Sequence, residues 1–309
     1  FKPLLFLGSG VIIHATGTRE MNLMGGLAKG LPRTALLFLV GSVAICGIPP
    51  LNGFVSEFLL YLGFFSQLQA HTLVYIAFLA PLLALVGGLA VIAFTKLYSS
   101  VFLGTPRSHG AAHPHEAGLT MLLPMALFAL LCLAFGMLPQ LALRLVSPAI
   151  SAFMPQMAAA VNPSDYTAIL VRLSQLALLL LGAVGVVTLL WWWRLRRSPV
   201  ASAPTWGCGY LRGTPRIQYG ATSFSELAVS VFNGIMRQRI ERPVLTGLFP
   251  EAARCIDRPT ETILERIISP IFTLIGWTFG FLHRLQHGQM HIYMLYIFVT
   301  LFILMLWGH

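Results

Sequence analysis

Gly47-Ile48-Pro49-Pro50-Leu51-Asn52-Gly53-Phe54-Val55-Ser56-Glu57 interrupts an otherwise apolar run. Thr34–Ile48 precedes it and Phe54–Leu68 follows it. Each is short against the roughly 20 apolar residues needed to cross a bilayer core. Neither Pro49 nor Pro50 can donate a backbone hydrogen bond, and Gly47 and Gly53 loosen the chain on either side. The stretch therefore predicts a helix break or a very tight hairpin. Non-helical backbone at membrane depth survives only where protein or water satisfies its polar groups. Short segments interrupted by Gly and Pro point to transporter ion sites.

Outward from this stretch, the composition sets the solvent. Hydrophobic residues make up 57% of the 309, charged residues 10%, and mean hydropathy is +0.79. A soluble domain carries about 25% charged residues, so the expected class is an all-α integral membrane protein. Candidate spans are Phe1–Ile13, Thr34–Ile48, Phe54–Leu68, Thr72–Leu103, Leu119–Leu138, Ala168–Leu195 and Ile292–Trp307, about seven in all. The chain begins at Phe1 inside an apolar run, without an initiator Met or a signal-peptide n-region, and reads as a fragment preceded by further helices.

The net charge of +10 is unevenly spread: 12 of the 20 Lys and Arg lie between Arg194 and Arg284. That pattern fits a juxtamembrane basic block, attracted to anionic lipid, rather than a nucleic-acid binder. Trp191, Trp192 and Trp193, followed by Arg194, Arg196 and Arg197, mark an exit into the cytoplasm. Seven spans then place the loop from His14 to Arg33 on the outside, against its Arg19, Lys29 and Arg33. Cys46, Cys132, Cys208 and Cys255 are scattered and form no C-x-x-C, so neither a zinc site nor an iron–sulfur cluster is expected from this chain alone. No cofactor, metal or catalytic residue is expected here, and any redox chemistry belongs to partner subunits.

Isolated charges in apolar segments are the candidate functional groups, since each costs about 2.5–3.5 kcal/mol at a helix centre. Only three lysines occur, and Lys2 and Lys96 lie in apolar segments; Glu57 is the one acid in a spanning segment. Burial would lower a lysine pKa and raise a carboxyl pKa, which suits the pair to relaying protons along water. A static ion pair, and for Lys96 snorkelling to the interface, are the plainer alternatives. His14 ends the first span and either relays protons or caps the helix. His109, His113 and His115 fall in a Gly/Ala/Pro-rich loop and read as solvated. His283, His287 and His291 read as an interfacial stripe before they read as a metal site.

The stretch Thr222–Arg284 reads as amphipathic rather than spanning. Ser223-x-x-Glu226 has the capping-box pattern, and Phe224, Leu227, Val231 and Ile235 share a helical stripe. A second helix is expected after Asp257, with Leu264, Ile267, Ile268, Ile271 and Ile275 on one face and a kink at Pro270. Charged residues on the opposite faces suit helices lying along a membrane surface.

These residues resemble a known family. Phe1-Lys2-Pro3-Leu4-Leu5-Phe6-Leu7-Gly8-Ser9-Gly10, His14-Ala15-Thr16-Gly17-Thr18-Arg19-Glu20 and Met24-Gly25-Gly26-Leu27 look like the late helices of Mrp-type antiporter subunits and the related large membrane subunits of complex I. Gly47–Glu57 looks like that family's discontinuous helix. The resemblance implies that Lys2 is the intramembrane channel lysine and Glu57 the channel-exit residue. Thr205-Trp206-Gly207-Cys208-Gly209-Tyr210, Thr214-Pro215-Arg216-Ile217-Gln218-Tyr219 and Ser223-Phe224 resemble the branch formed by the hydrogenase-4 and formate hydrogenlyase membrane subunits. The implied organisation is an antiporter-like helix repeat over 1–103, additional transmembrane helices over 104–198, a cytoplasmic-face lateral segment over 199–288 and a final transmembrane helix over 289–309. The implied function is proton, or Na⁺, translocation in the bacterial inner membrane. Its implied partners are other membrane subunits and nickel–iron and iron–sulfur subunits. A Mrp-type cation/proton antiporter or an NADH–quinone oxidoreductase membrane subunit is the competing reading.

Overall fold

The computed structural model describes residues 1–69, 78–153, 163–197, 214–215, 217–232, 239–241, 256–258, 264–283, 288 and 290–307. Its helices are α1 (Lys2–Thr16), α2 (Pro32–Ile45), α3 (Asn52–Gln69), α4 (Leu79–Phe102), α5 (His109–Ala112), α6 (Leu119–Met137), α7 (Pro139–Phe153), α8 (Pro163–Arg197), α9 (Ala221–Val231), α10 (Ser269–His283) and α11 (Met290–Trp307). A helix stands at each of the seven predicted spans. Among the described residues, four stretches are long and apolar enough to cross a membrane: Leu79–Phe102, Leu119–Met137, Thr167–Arg197 and Met290–Trp307. The chain is a multi-pass membrane protein of helices. It groups into two compact units, Phe1–Glu226 and Leu227–His309.

In the first unit, α1, α2 and α6 pack on one another, with α3 against α6 and α2 and α4 against α2. Pro3 and Pro32 open α1 and α2 in the first turn, where the missing N–H costs nothing. Gly17, at φ 68°, ends α1 by donating its N–H to the Ile13 carbonyl at 2.8 Å. Close approach depends on small residues: a side chain at Gly8 would run into the Phe38 ring. One core cluster joins Leu5, Ile12, Met24, Leu27, Leu31, Phe38, Val101 and Phe102, with the Phe38 and Phe102 rings 5.4 Å apart. A second joins Leu4, Val11, Met125 and Ala129. The outer faces stay apolar, as on α8, where Leu179 is 70% and Val187 64% exposed. Lipid is the solvent those faces fit.

The start of α2 is capped from far along the chain. The Arg33 N–H and the Thr34 hydroxyl donate to the Glu116 carboxylate at 2.9 and 2.5 Å. Thr34 is fully buried, so Glu116 satisfies groups that would otherwise be stranded.

The second unit departs from the expected run of amphipathic helix. Arg239–Glu241 and Ile256–Arg258 form a two-stranded antiparallel pair, with Ile240 opposite Asp257. Asp257 thus lies in a strand, and among the described residues after it a π-turn over Leu264–Ile268 runs into α10. Pro270, where a kink is expected, is the second residue of α10, just after the change from π-turn to α-helix. Similarly, α9 starts at Ala221, two residues before the predicted cap. Ser223 sits inside the first turn and its hydroxyl accepts the Gly220 N–H at 3.4 Å. Cys208, Cys255, His287 and the Thr205–Tyr210 motif lie outside the described residues.

Candidate functional site

The break is built by a defined helix stop. Ile48 donates its N–H to the Val43 carbonyl at 3.3 Å, and Gly47, at φ 63°, donates to Ala44 at 3.2 Å. These two bonds form a Schellman motif that closes α2. The Pro49–Pro50 peptide is cis. Neither proline has an N–H with which to continue the helix, and Leu51 turns back on Ile48 at 3.3 Å. Then α3 begins at Asn52. The junction is tight, because a side chain at Gly53 would collide with the Ala44 carbonyl and one at Gly136 of α6 with the Pro50 carbonyl.

Contacts between α2 and α3 distinguish a break from a hairpin. Gly53 lies against Ala44, and Glu57, four residues on, against Gly47, so α3 advances in the direction of α2 with its first turn beside the last turn of α2. The two are halves of one interrupted helix.

Glu57, half-buried on the second turn of α3, folds its carboxyl back against Gly47; a side chain at Gly47 would overlap it. On the other side, a methyl at Gly87 would stand 3.9 Å from the carboxyl. Two glycines thus leave room for the one spanning-segment acid. At the start of α3, the Asn52 side-chain oxygen is buried without a hydrogen-bond partner among the described residues. The far dipole end of α2 and the near end of α3 also meet here.

Lys2 lies at the same level. Its neighbour Phe1 packs with Ala44, Leu51 and Cys132, while the Lys2 side chain is exposed on α1. No hydrogen bond or ion pair among the described residues joins Lys2 to Glu57. His14 and Lys96 belong to the other end. His14 is exposed on the last turn of α1, about 18 Å along the helix from Lys2. Half-buried Lys96, six residues before the end of α4, donates to the Ser225 hydroxyl at 2.5 Å. The four predicted groups thus fall into two pairs, one towards each end, with about 13 Å of α4 between Gly87 and Lys96.

The second end is organised by residues that sequence reasoning did not single out. Arg107 donates to the carbonyls of Met24, Ser100 and Met21 at 2.9, 3.2 and 3.4 Å, and to that of Tyr219 at 2.9 Å. Burial lowers its guanidinium from the usual value, and an arginine so shifted still remains charged. Gln218 accepts the Thr105 N–H at 3.0 Å and donates to the Thr105 carbonyl at 3.1 Å. Asn22 accepts the Thr222 N–H at 3.4 Å. These contacts correct the expected topology: residues 21–24 and 217–222 share one face, because α2 and α3 together run in a single direction. Of these residues, Met24, Gln218 and Tyr219 belong to sequence motifs of the family resemblance. Nothing local marks Arg107 or Glu116, whose partners, Ser100 apart, lie 80 or more residues away.

Residues 1–84 match the family described as NADH:quinone oxidoreductase/Mrp antiporter, transmembrane. Similarity to individual proteins runs further along the chain. The chain is 35% identical to hydrogenase-4 component B of Escherichia coli (strain K12), over 99% of this chain and 47% of that protein. It is 36% identical to formate hydrogenlyase subunit 3 of the same organism, over 48% of this chain and 25% of that protein. It is also 33% identical to a probable K(+)/H(+) antiporter protein of Rhizobium meliloti (strain 1021), over 45% of this chain and 14% of that protein. The chain spans about half the length, or less, of these curated relatives.

Proposed function

We propose that this chain is part of a proton-translocating, or Na⁺-translocating, membrane subunit of a hydrogenase or formate hydrogenlyase type respiratory complex in a bacterial inner membrane. The observation that carries the mechanism is the Glu57 carboxyl at the gap between α2 and α3, with room on its Gly47 and Gly87 sides. A carboxyl beside interrupted backbone can exchange a proton or hold a cation, where an intact apolar helix offers neither. The unpartnered Asn52 oxygen adds an acceptor at the same gap. Lys2 at that level, and Lys96 and His14 towards the other end, would continue the relay. Partner subunits, nickel–iron and iron–sulfur proteins among them, would supply the redox reaction, and 199–288 would brace the assembly from the cytoplasmic side.

Similarity over 99% of this chain to hydrogenase-4 component B, against 45% to the antiporter protein, favours the hydrogenase reading. The second reading, a Mrp-type antiporter component, rests on the family matched by residues 1–84. Co-purification of the full-length protein discriminates them, since a nickel–iron large subunit is expected only in the first. Glu57→Gln tests the mechanism: in vesicles bearing the intact complex, it is expected to abolish coupled ion movement without loss of assembly. Parental pumping by that variant would sink the mechanism.

A further inference from the structure

We propose that Ser225 is a positioning residue for Lys96, and that the docked segment Ile217–Ser225 thereby sets one end of the ion path. The inference rests on the relay reading of Lys96 given above. Lys96 lies about 9 Å inside the end of α4, and its flexible stem would let the ammonium snorkel to any nearby water. Instead, half-buried, it meets the hydroxyl of a residue 129 positions away.

The position of Ser225 is fixed by contacts that do not involve Lys96. Gln218 is bonded to both backbone groups of Thr105, Arg107 holds the Tyr219 carbonyl, and Asn22 accepts the Thr222 N–H. Ala221, the first residue of α9, is buried at 4% exposure. Ser225 would thus stand where it does without the lysine, and the lysine is the group that adapts. The Ser225 hydroxyl donates its own hydrogen to the Ala221 carbonyl at 3.0 Å, which leaves a lone pair for the Lys96 ammonium. That arrangement lets Ser225 orient Lys96 without carrying its proton. A proton leaving Lys96 passes to water.

Vesicles containing the intact complex provide the test, with two measurements on each variant. Ser225→Ala is expected to lower coupled ion transport about ten- to a hundredfold, the worth of one hydrogen bond to a charged group. It is also expected to raise the rate at which an amine-reactive reagent modifies Lys96, several-fold. Ser225→Thr, which keeps the hydroxyl, should restore both to near the parental values. Parental transport and parental Lys96 reactivity in Ser225→Ala would overturn the proposal, as would failure of Ser225→Thr to rescue either. Lys96→Met separates the two levels of inference. Parental transport in Lys96→Met would remove the relay reading of Lys96 itself. Loss of transport there, beside an unaffected Ser225→Ala, would leave the relay standing and refute the positioning role alone.

Discussion

Gly47 does two jobs that no other residue can combine. It adopts φ 63° to close α2, and it leaves the volume that the Glu57 carboxyl occupies. Gly47→Ala is therefore expected to cost about 1–2 kcal/mol from the left-handed backbone alone, seen as a lower thermal midpoint. It should also displace the carboxyl and reduce coupled transport. Gly87→Ala is the contrasting case, because its methyl would meet Glu57 at an ordinary 3.9 Å; transport near the parental rate is expected. Equal losses in both variants would show that the space around Glu57 is not what matters. At this scale, Glu57 and the break residues were legible because a lone acid and a Gly/Pro cluster stand out against apolar sequence. The partners of Arg107 and Glu116 were not, because a backbone carbonyl or an amide 83 residues distant leaves no local trace.

Helix α2 shows how an element depends on a remote side chain. Its first turn is capped by Glu116, and Glu116→Ala should cost about 1 kcal/mol or somewhat more, since buried Thr34 also loses its acceptor. The readout is earlier opening of α2 in amide hydrogen exchange, and unchanged exchange at residues 33–37 would discount the cap. Helix existence could be read from the apolar runs, and helices occupy all seven. Two features of the elements could not. Whether Gly47–Gly53 is a hairpin or a break depends on what α4 and α6 offer α3, not on the turn residues themselves. The strand pair Arg239–Glu241 with Ile256–Arg258 is equally opaque, because three-residue strands carry too few positions for a period to appear. Pro270 was visible, but the change from π-turn to α-helix just before it was not.

Taken whole, the first unit gathers its polar contacts at the loop end: Asn22 with Thr222, Thr105 with Gln218, and Arg107 with both sides. Introduced cysteines at Lys29 and Thr222 should therefore react with an impermeant reagent from the same side of sealed vesicles. Labelling from opposite sides would contradict the shared face. This arrangement sets the loop from His14 to Arg33 on the face of residues 217–222, against the expectation that places it on the opposite side. Arg107 also has a consequence in time, during synthesis. Tyr219 follows it by 112 residues, roughly 6–22 s at common elongation rates. Until then the nascent chain holds an arginine already tied to Met21, Met24 and Ser100, with one fork still open. Helices α1 to α6 can thus be inserted and matured before the late segment arrives, and a ribosome stalled in that interval would expose a folded bundle whose last fastening has yet to be translated.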